Sequence, residues 1–245
     1  MAQNIFKGLG IALITPFTPD GQVDYPSLKR LVEYQIENGA DFLCILATTG
    51  EAPCLTKQEK DELTEFIKQV NNGRVKILKY CGGNNTAAVV EEIKNSDWHG
   101  IDGILSICPY YNKPSQEGLY QHFKAIAEVS PLPIVLYNVP GRTGINMKAE
   151  TTVRLAKDFP NIVGVKEASG SLEQVDDIIK NKPSNFDVIS GDDGLTYPMI
   201  ASGAAGVKAL LNDMGFIENV LRLPLVPTTI KTKERMAEIL KELRM

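Results

Sequence analysis

The residue in this chain best equipped for chemistry is a lysine that ends a buried strand. The run Ile162-Val163-Gly164-Val165-Lys166-Glu167 lies between Pro160 and Gly170 and is rich in β-branched residues. Such a run reads as a strand covered on both faces. Desolvating the Lys166 ammonium is costly, so its pKa is expected to fall, leaving a neutral amine to attack a carbonyl near pH 7. Two readings stand: Lys166 forms a Schiff base, or it pairs with Glu167 or another carboxylate at the strand end.

Other strand ends are polar in a specific way. They read Thr48-Thr49-Gly50-Glu51, Tyr110-Tyr111-Asn112, Tyr137-Asn138, Arg142-Thr143-Gly144 and Gly191-Asp192-Asp193. Taken singly, the threonines satisfy turn backbones, the tyrosine pair fills an interface, and Arg142 is a surface residue. Gathered around one mouth, an amine, proton-passing hydroxyls and phenols, and an arginine suited to a carboxylate would condense or cleave a keto acid through an imine.

The elements that must position these groups recur along the chain. Strand-like runs are expected at Ile11–Phe17, Phe42–Gly50, Val75–Gly83, Asp102–Pro109, Pro133–Pro140, Ile162–Lys166 and Asp187–Asp193. Between them lie helical patterns: Leu28 to Ile36 with Gly39 as a stop, a capping box of Thr56 and Glu59 before Leu63 and Ile67, Ala87–Trp98, Leu119 to Ala127, Lys148–Phe159 and Leu195–Ser202. Seven β-then-α units of roughly thirty residues each imply parallel strands with helical crossovers. No G-x-G-x-x-G follows the first strand, so a barrel is favoured over a dinucleotide-binding sheet. In a barrel the strand C-termini carry the site.

Composition bounds the partners. With 245 residues and 43% hydrophobic content, the chain buries a core without staples. A formal charge of −4 offers no basic footprint for nucleic acid or an anionic membrane. No signal-length or membrane-length apolar run is present, and a cytoplasmic location is expected. Cys44, Cys54, Cys81 and Cys108 form no C-x-x-C pair, and only His99 and His122 accompany them. Reduced thiols and no metal site are expected.

At these motifs the chain resembles the dihydrodipicolinate synthase family, within the pyruvate-dependent class I aldolase superfamily that includes N-acetylneuraminate lyase. The resemblance covers about Gly8 to Val207 and resumes from Lys208. It rests on Thr48–Glu51, Tyr110-Tyr111-Asn112-Lys113-Pro114, Tyr137-Asn138-Val139-Pro140-Gly141-Arg142-Thr143-Gly144, Val165–Ala168 and Ser190–Asp193, in that order. The resemblance implies a lyase, without metal or organic cofactor, that condenses pyruvate with L-aspartate 4-semialdehyde to 4-hydroxy-tetrahydrodipicolinate in lysine and diaminopimelate biosynthesis. It implies Lys166 as the imine lysine and Tyr137 as proton donor and acceptor. Thr48 links Tyr137 to Tyr111, which reaches over from a neighbouring subunit of a homo-oligomer, a tetramer in the family. Thr49 takes the pyruvate carboxylate, and Arg142 takes that of the semialdehyde. Gly191 and Val207 also belong to the substrate site.

The chain departs from the family in several places. After Val207, Lys208–Gly215 reads as a helix resembling a much later part of the family, so most of an eighth βα unit is missing. The expected architecture is therefore an α/β, TIM-type (β/α)8 barrel over 1–207 with that unit largely absent, and a helical segment over 208–245. Pro224 and Pro227 argue against a replacement strand in the tail. Ala47 replaces a glycine. Lys79 either enters the barrel, where a second ammonium would act on Lys166 or obstruct the site, or faces the helices and snorkels outward. Ala88 and Lys57 occupy places tied to lysine feedback in the family, so weak or absent inhibition is expected. Two alternatives accompany the main reading: a shortened, catalytically impaired relative keeping the pyruvate-site residues, natural or engineered, and a sister aldolase acting on a sugar acid.

Overall fold

The structure is a computed structural model and describes residues 5–191, 217–218 and 220–226. The chain divides into two compact units, one formed by Leu9–Val75 with Tyr197–Met245, the other by Met1–Gly8 with Lys76–Thr196. Asp192, Asp193, the helix expected over Leu195–Ser202, Val207, the 207/208 boundary, Pro227 and the tail helix all lie outside the described residues.

In the Leu9–Val75 unit, β1 (Gly10–Ala12) pairs in parallel with β2 (Phe42–Ile45), joined through α1 (Tyr25–Glu37). The expected first strand is longer than the observed one: its later part turns away, and Phe17 bridges Val23 in antiparallel fashion. Asp24 caps α1 by accepting from the Ser27 N–H at 3.0 Å, and the helix stops at Asn38-Gly39. β2 ends early because Leu46 takes φ 57°, and Thr48–Gly50 forms a single 3-10 turn instead of more strand. α2 (Lys57–Asn71) opens on the expected capping box, with both reciprocal bonds between Thr56 and Glu59. Its buried Leu63 and Ile67 share the unit with buried Leu28, Leu31 and Val32 of α1.

In the other unit, β3 (Lys76–Tyr80), β4 (Gly103–Ile107), β5 (Ile134–Asn138), β6 (Ile162–Glu167) and β7 (Asp187–Ser190) pair in chain order, every pairing parallel. α3 (Thr86–Asn95), α4 (Gln116–Val129), the short α5 (Pro140–Thr143), α6 (Ala149–Asp158) and α7 (Leu172–Asn181) supply the crossovers. α3 stops short of Trp98, whose indole N–H donates back to the Ile93 carbonyl at 2.8 Å. Ile104, Ile134, Leu136 and Val165 point to the helices and form one core with Val89, Ile93, Phe123 and Leu155.

One irregularity sets the phase of β6. Ile134 pairs with Ile162 but Val135 pairs with Gly164, so Val163 is an extra residue in the β6 ladder. A bulge flips which side chains face which way. Both Ile162 and Val165 therefore reach the helix-side core although they are three residues apart. Lys166 then falls opposite Tyr137 on the other face.

Candidate active site

Tyr137 and Lys166 are register partners across β5 and β6, and the Lys166 Nζ lies 4.8 Å from the Tyr137 ring centroid. An amine and a buried phenol thus meet at the C-terminal ends of adjacent parallel strands, the edge where parallel α/β folds place their chemistry. Gly191, just past β7, completes the lysine's surroundings. A Cβ there would come within 2.8 Å of Lys166 Cγ and 3.0 Å of its Cε, so only glycine leaves the lysine stem its room. Gly191 is tied in place by its N–H to the Glu167 carbonyl at 2.8 Å.

Glu167 does not pair with Lys166. It projects from the opposite face and is buried, with its carboxylate accepting from Asn138 Nδ2 at 3.0 and 3.1 Å, from the Ser169 N–H at 2.8 Å and from Gln174 Nε2 at 3.2 Å. Asn138 Oδ1 in turn accepts the Met147 N–H at 3.0 Å, and Asn146 donates to Gln174 at 2.8 Å. Amide donors, not a cation, satisfy this buried carboxylate. The ion-pair reading of Lys166 with Glu167 is thereby excluded, and a polar network stands directly behind the Tyr137–Lys166 pair.

Lys79 takes the outward alternative. It pairs with Ile104, whose side chain lies in the helix-side core, and its Nζ sits 5.5 Å from the Trp98 ring centroid. The residue beside it is the one sequence reasoning missed. Alternation turns Tyr80 to the Tyr137 face, its hydroxyl donates to the Gly82 carbonyl at 3.2 Å, and burial, then the phenol of Tyr110, holds its pKa well above the usual range. The direction of Lys79 was the available signal, since fixing one fixes the other.

Past β4, Tyr111 sits at φ 72° with 89% of its surface exposed, its N–H donating to the Thr143 carbonyl at 3.3 Å. Arg142 is an exposed residue of α5, a helix that Pro140 starts and Gly144 ends at φ 72°. Its guanidinium makes no ion pair among the described residues.

In the Leu9–Val75 unit, Thr48 and Thr49 are half-buried on their 3-10 turn, preceded by extended, buried Ala47. The turn is held from the inside, where Thr15 Oγ1 donates to the Gly50 carbonyl at 2.7 Å. Among the described residues, backbone groups close the turn, Gly50 N–H to Ala47 and Glu51 N–H to Thr48. The threonine side chains are not what satisfies it.

Among the described residues no group of three or more His, Cys, Asp or Glu is placed to hold a metal ion, and no helix is long and apolar enough to cross a membrane. Cys81 and Cys108 are buried, and desolvation pushes both thiols up, out of the range of a nucleophile.

Comparison with known proteins bears on all of this. The model of the Dihydrodipicolinate synthetase family matches residues 5–208. The chain belongs to this family. The 4-hydroxy-tetrahydrodipicolinate synthase of Phocaeicola vulgatus is 53% identical over 295 positions, spanning 100% of this chain and 99% of that protein, and its counterpart in Parabacteroides distasonis is 48% identical over 99% of both. Dihydrodipicolinate synthase from Thermotoga maritima has a similar structure, with TM-score 0.91, 36% identity and 97% of this chain covered against 98% of that one. Like these dihydrodipicolinate synthases, the chain is an α/β protein of the TIM-barrel type, and a lyase of lysine and diaminopimelate biosynthesis. The sugar-acid and impaired-relative readings are not favoured. Because 295 aligned positions exceed a chain of 245, the alignment leaves positions of the relative with no counterpart here, and the family match itself stops at residue 208, beside the junction expected after Val207.

Proposed function

We propose that Lys166 forms an imine with pyruvate and that the resulting enamine attacks L-aspartate 4-semialdehyde. The observation carrying this is the placement of the Lys166 amine against the Tyr137 ring, with Glu167 turned away and satisfied elsewhere. The amine adds to the keto carbon and water leaves, giving a protonated imine. That imine draws electrons from the adjacent methyl group, a proton departs, and the nucleophilic enamine carbon bonds to the aldehyde carbon. The aldehyde oxygen takes up a proton. The semialdehyde's own amine then displaces Lys166 from the imine carbon, which closes the ring and frees the enzyme. None of these steps calls for a metal or organic cofactor.

Tyr137 is assigned the proton transfers, with Thr48 and Tyr111 as its relay. A strained, exposed Tyr111 suits a residue whose partner lies on another copy of the chain. On this reading the protein works as a homo-oligomer in the cytoplasm. Thr49 takes the pyruvate carboxylate, Arg142 that of the semialdehyde through its planar fork, and Gly191 and Val207 border the substrate. Weak or absent lysine inhibition accompanies the proposal, with Lys57 engaged by Asp61 at 2.7 Å.

Borohydride trapping in the presence of pyruvate, read by intact mass and peptide mapping, tests the proposal. A pyruvate-sized adduct on Lys166 supports it. An adduct on Lys79, or none on folded protein, defeats it.

A further inference from the structure

The turn carrying Thr48 and Thr49 is one 3-10 turn, too short to hold its own shape. Its exit is strained as well. Glu51, which is not glycine, takes the left-handed conformation at φ 54°, ψ 30°, and its side chain is only 1% exposed. A strained backbone and a buried carboxylate persist only where the surroundings over-determine them.

Arg222 supplies much of that constraint, 171 positions further along the chain. Its backbone N–H donates to Glu51 Oε2 at 3.1 Å. Each of its five guanidinium N–H donors is used: two go to the Gly21 carbonyl at 3.0 and 2.9 Å, one to the Cys54 carbonyl at 3.2 Å, and two clasp Glu59 at 2.9 and 2.6 Å. The guanidinium also lies 4.4 Å from the centroid of the Phe17 ring. Cys54 ends the second 3-10 turn, Ala52–Cys54, that continues from Glu51, and Glu59 is the acid of the α2 capping box. Arg222 therefore meets both ends of the segment between the threonine pair and α2, Glu51 through its backbone N–H and Cys54 and Glu59 through its guanidinium.

We propose that Arg222 is a positioning residue for the Thr48–Thr49 turn, holding it in the conformation that receives the pyruvate carboxylate. The part of the proposal concerning pyruvate rests on the function proposed above. The clasp is strong: the Arg222 hydrogen bond, ahead of the opposing effect of burial, draws the Glu59 carboxyl down to about 2. Lysine could not replace it, since a point ammonium does not reach a carboxylate and two carbonyls in one plane.

The test compares Arg222→Ala, Arg222→Lys and Glu59→Gln with the parent by two readouts. Amide hydrogen exchange is followed in peptides covering 47–55, with β5 and β6 peptides as internal control, and borohydride trapping on Lys166 is followed against pyruvate concentration. Expected for Arg222→Ala are faster exchange confined to 47–55, a half-saturating pyruvate concentration raised about tenfold, and a maximal trapping rate within about twofold of the parent. Arg222→Lys and Glu59→Gln fall between the two, and they decide the matter should Arg222→Ala not fold. Unchanged exchange at 47–55 overturns the proposal, as does exchange that rises equally in β5 and β6, the mark of a merely structural residue. If the parent traps no pyruvate, the catalytic reading fails, and the exchange readout still decides whether Arg222 orders the turn.

Discussion

Lys166 stands opposite Tyr137 because Val163 bulges out of the β6 ladder: without that extra residue, Val165 would occupy the register position and Lys166 would face the helices. The pair's chemistry divides cleanly between amine and phenol. Lys166→Arg, which keeps a cation but no neutral nucleophile, is expected to abolish the pyruvate adduct altogether. Tyr137→Phe is expected to leave the adduct detectable but to slow its formation by about 10²-fold or more, the usual worth of a positioned proton donor. Rapid-quench trapping distinguishes the two, and equal effects would contradict the assignment.

Gly191→Ala is expected to hurt the lysine and spare the fold. The new methyl group would stand 2.8 Å from Lys166 Cγ, so the flexible lysine stem must move. Adduct formation should fall by about tenfold or more, for small misplacements of a reacting atom are expensive. The thermal midpoint should change little, because the displaced atoms belong to a side chain and not to the backbone. Wild-type trapping rates in this variant would disprove the close approach.

The amide network behind the pair makes a prediction about coupling. Glu167→Gln turns an N–H₂ toward donors from Asn138, Ser169 and Gln174, and each buried mismatch of this kind costs about 1–3 kcal/mol. Asn138→Asp sets a carboxylate against a carboxylate and is expected to cost at least as much. Combining them restores one donor facing one acceptor, so the double variant should be less destabilised than the sum by about 1 kcal/mol or more. Denaturant unfolding of all four proteins measures this, and strict additivity would count against the network.

His122 gives the fold a sensitivity to acid. It is buried between Thr86, whose hydroxyl lies 2.8 Å from its Nδ1, and the edge of Phe123, and its Nε2 has no hydrogen-bond partner among the described residues. Burial lowers its pKa to about 4. A depressed histidine means that the unfolded chain takes up the proton first, so stability is full above about pH 6.5, declines as pH falls, and levels off below about 4. The expected loss is roughly 3 kcal/mol across that window. Glu59, whose pKa is lowered by Arg222, adds a separate loss from about pH 4.5 down toward 2. His122→Leu should flatten the slope between pH 6.5 and 4 only. An unchanged slope would show that the ring is not buried in the folded protein.

Much of the architecture was legible because it is written in local patterns. The Thr56–Glu59 box, the seven parallel strands and Lys166 at a strand end all follow from short-range periodicity and capping chemistry. What escaped was phase and distance. Nothing in Ile162-Val163-Gly164 announces which residue bulges, and alternation alone could not tell whether Lys79 or Tyr80 faced the Tyr137 side until the pairing with Ile104 was known. The partnership of Arg222 with Glu59 spans 163 positions, a separation across which no pattern in a single sequence carries information. α5 was missed because four residues are fewer than a helical period can reveal.

The buried clasp of Asn138 and Glu167 also bears on inheritance. One residue offers donors and the other only acceptors, so a lone replacement at either position passes through a less stable protein before a matching second change can repair it. The two positions are bound to travel together through descent, and where relatives differ at one of them, the other should differ too.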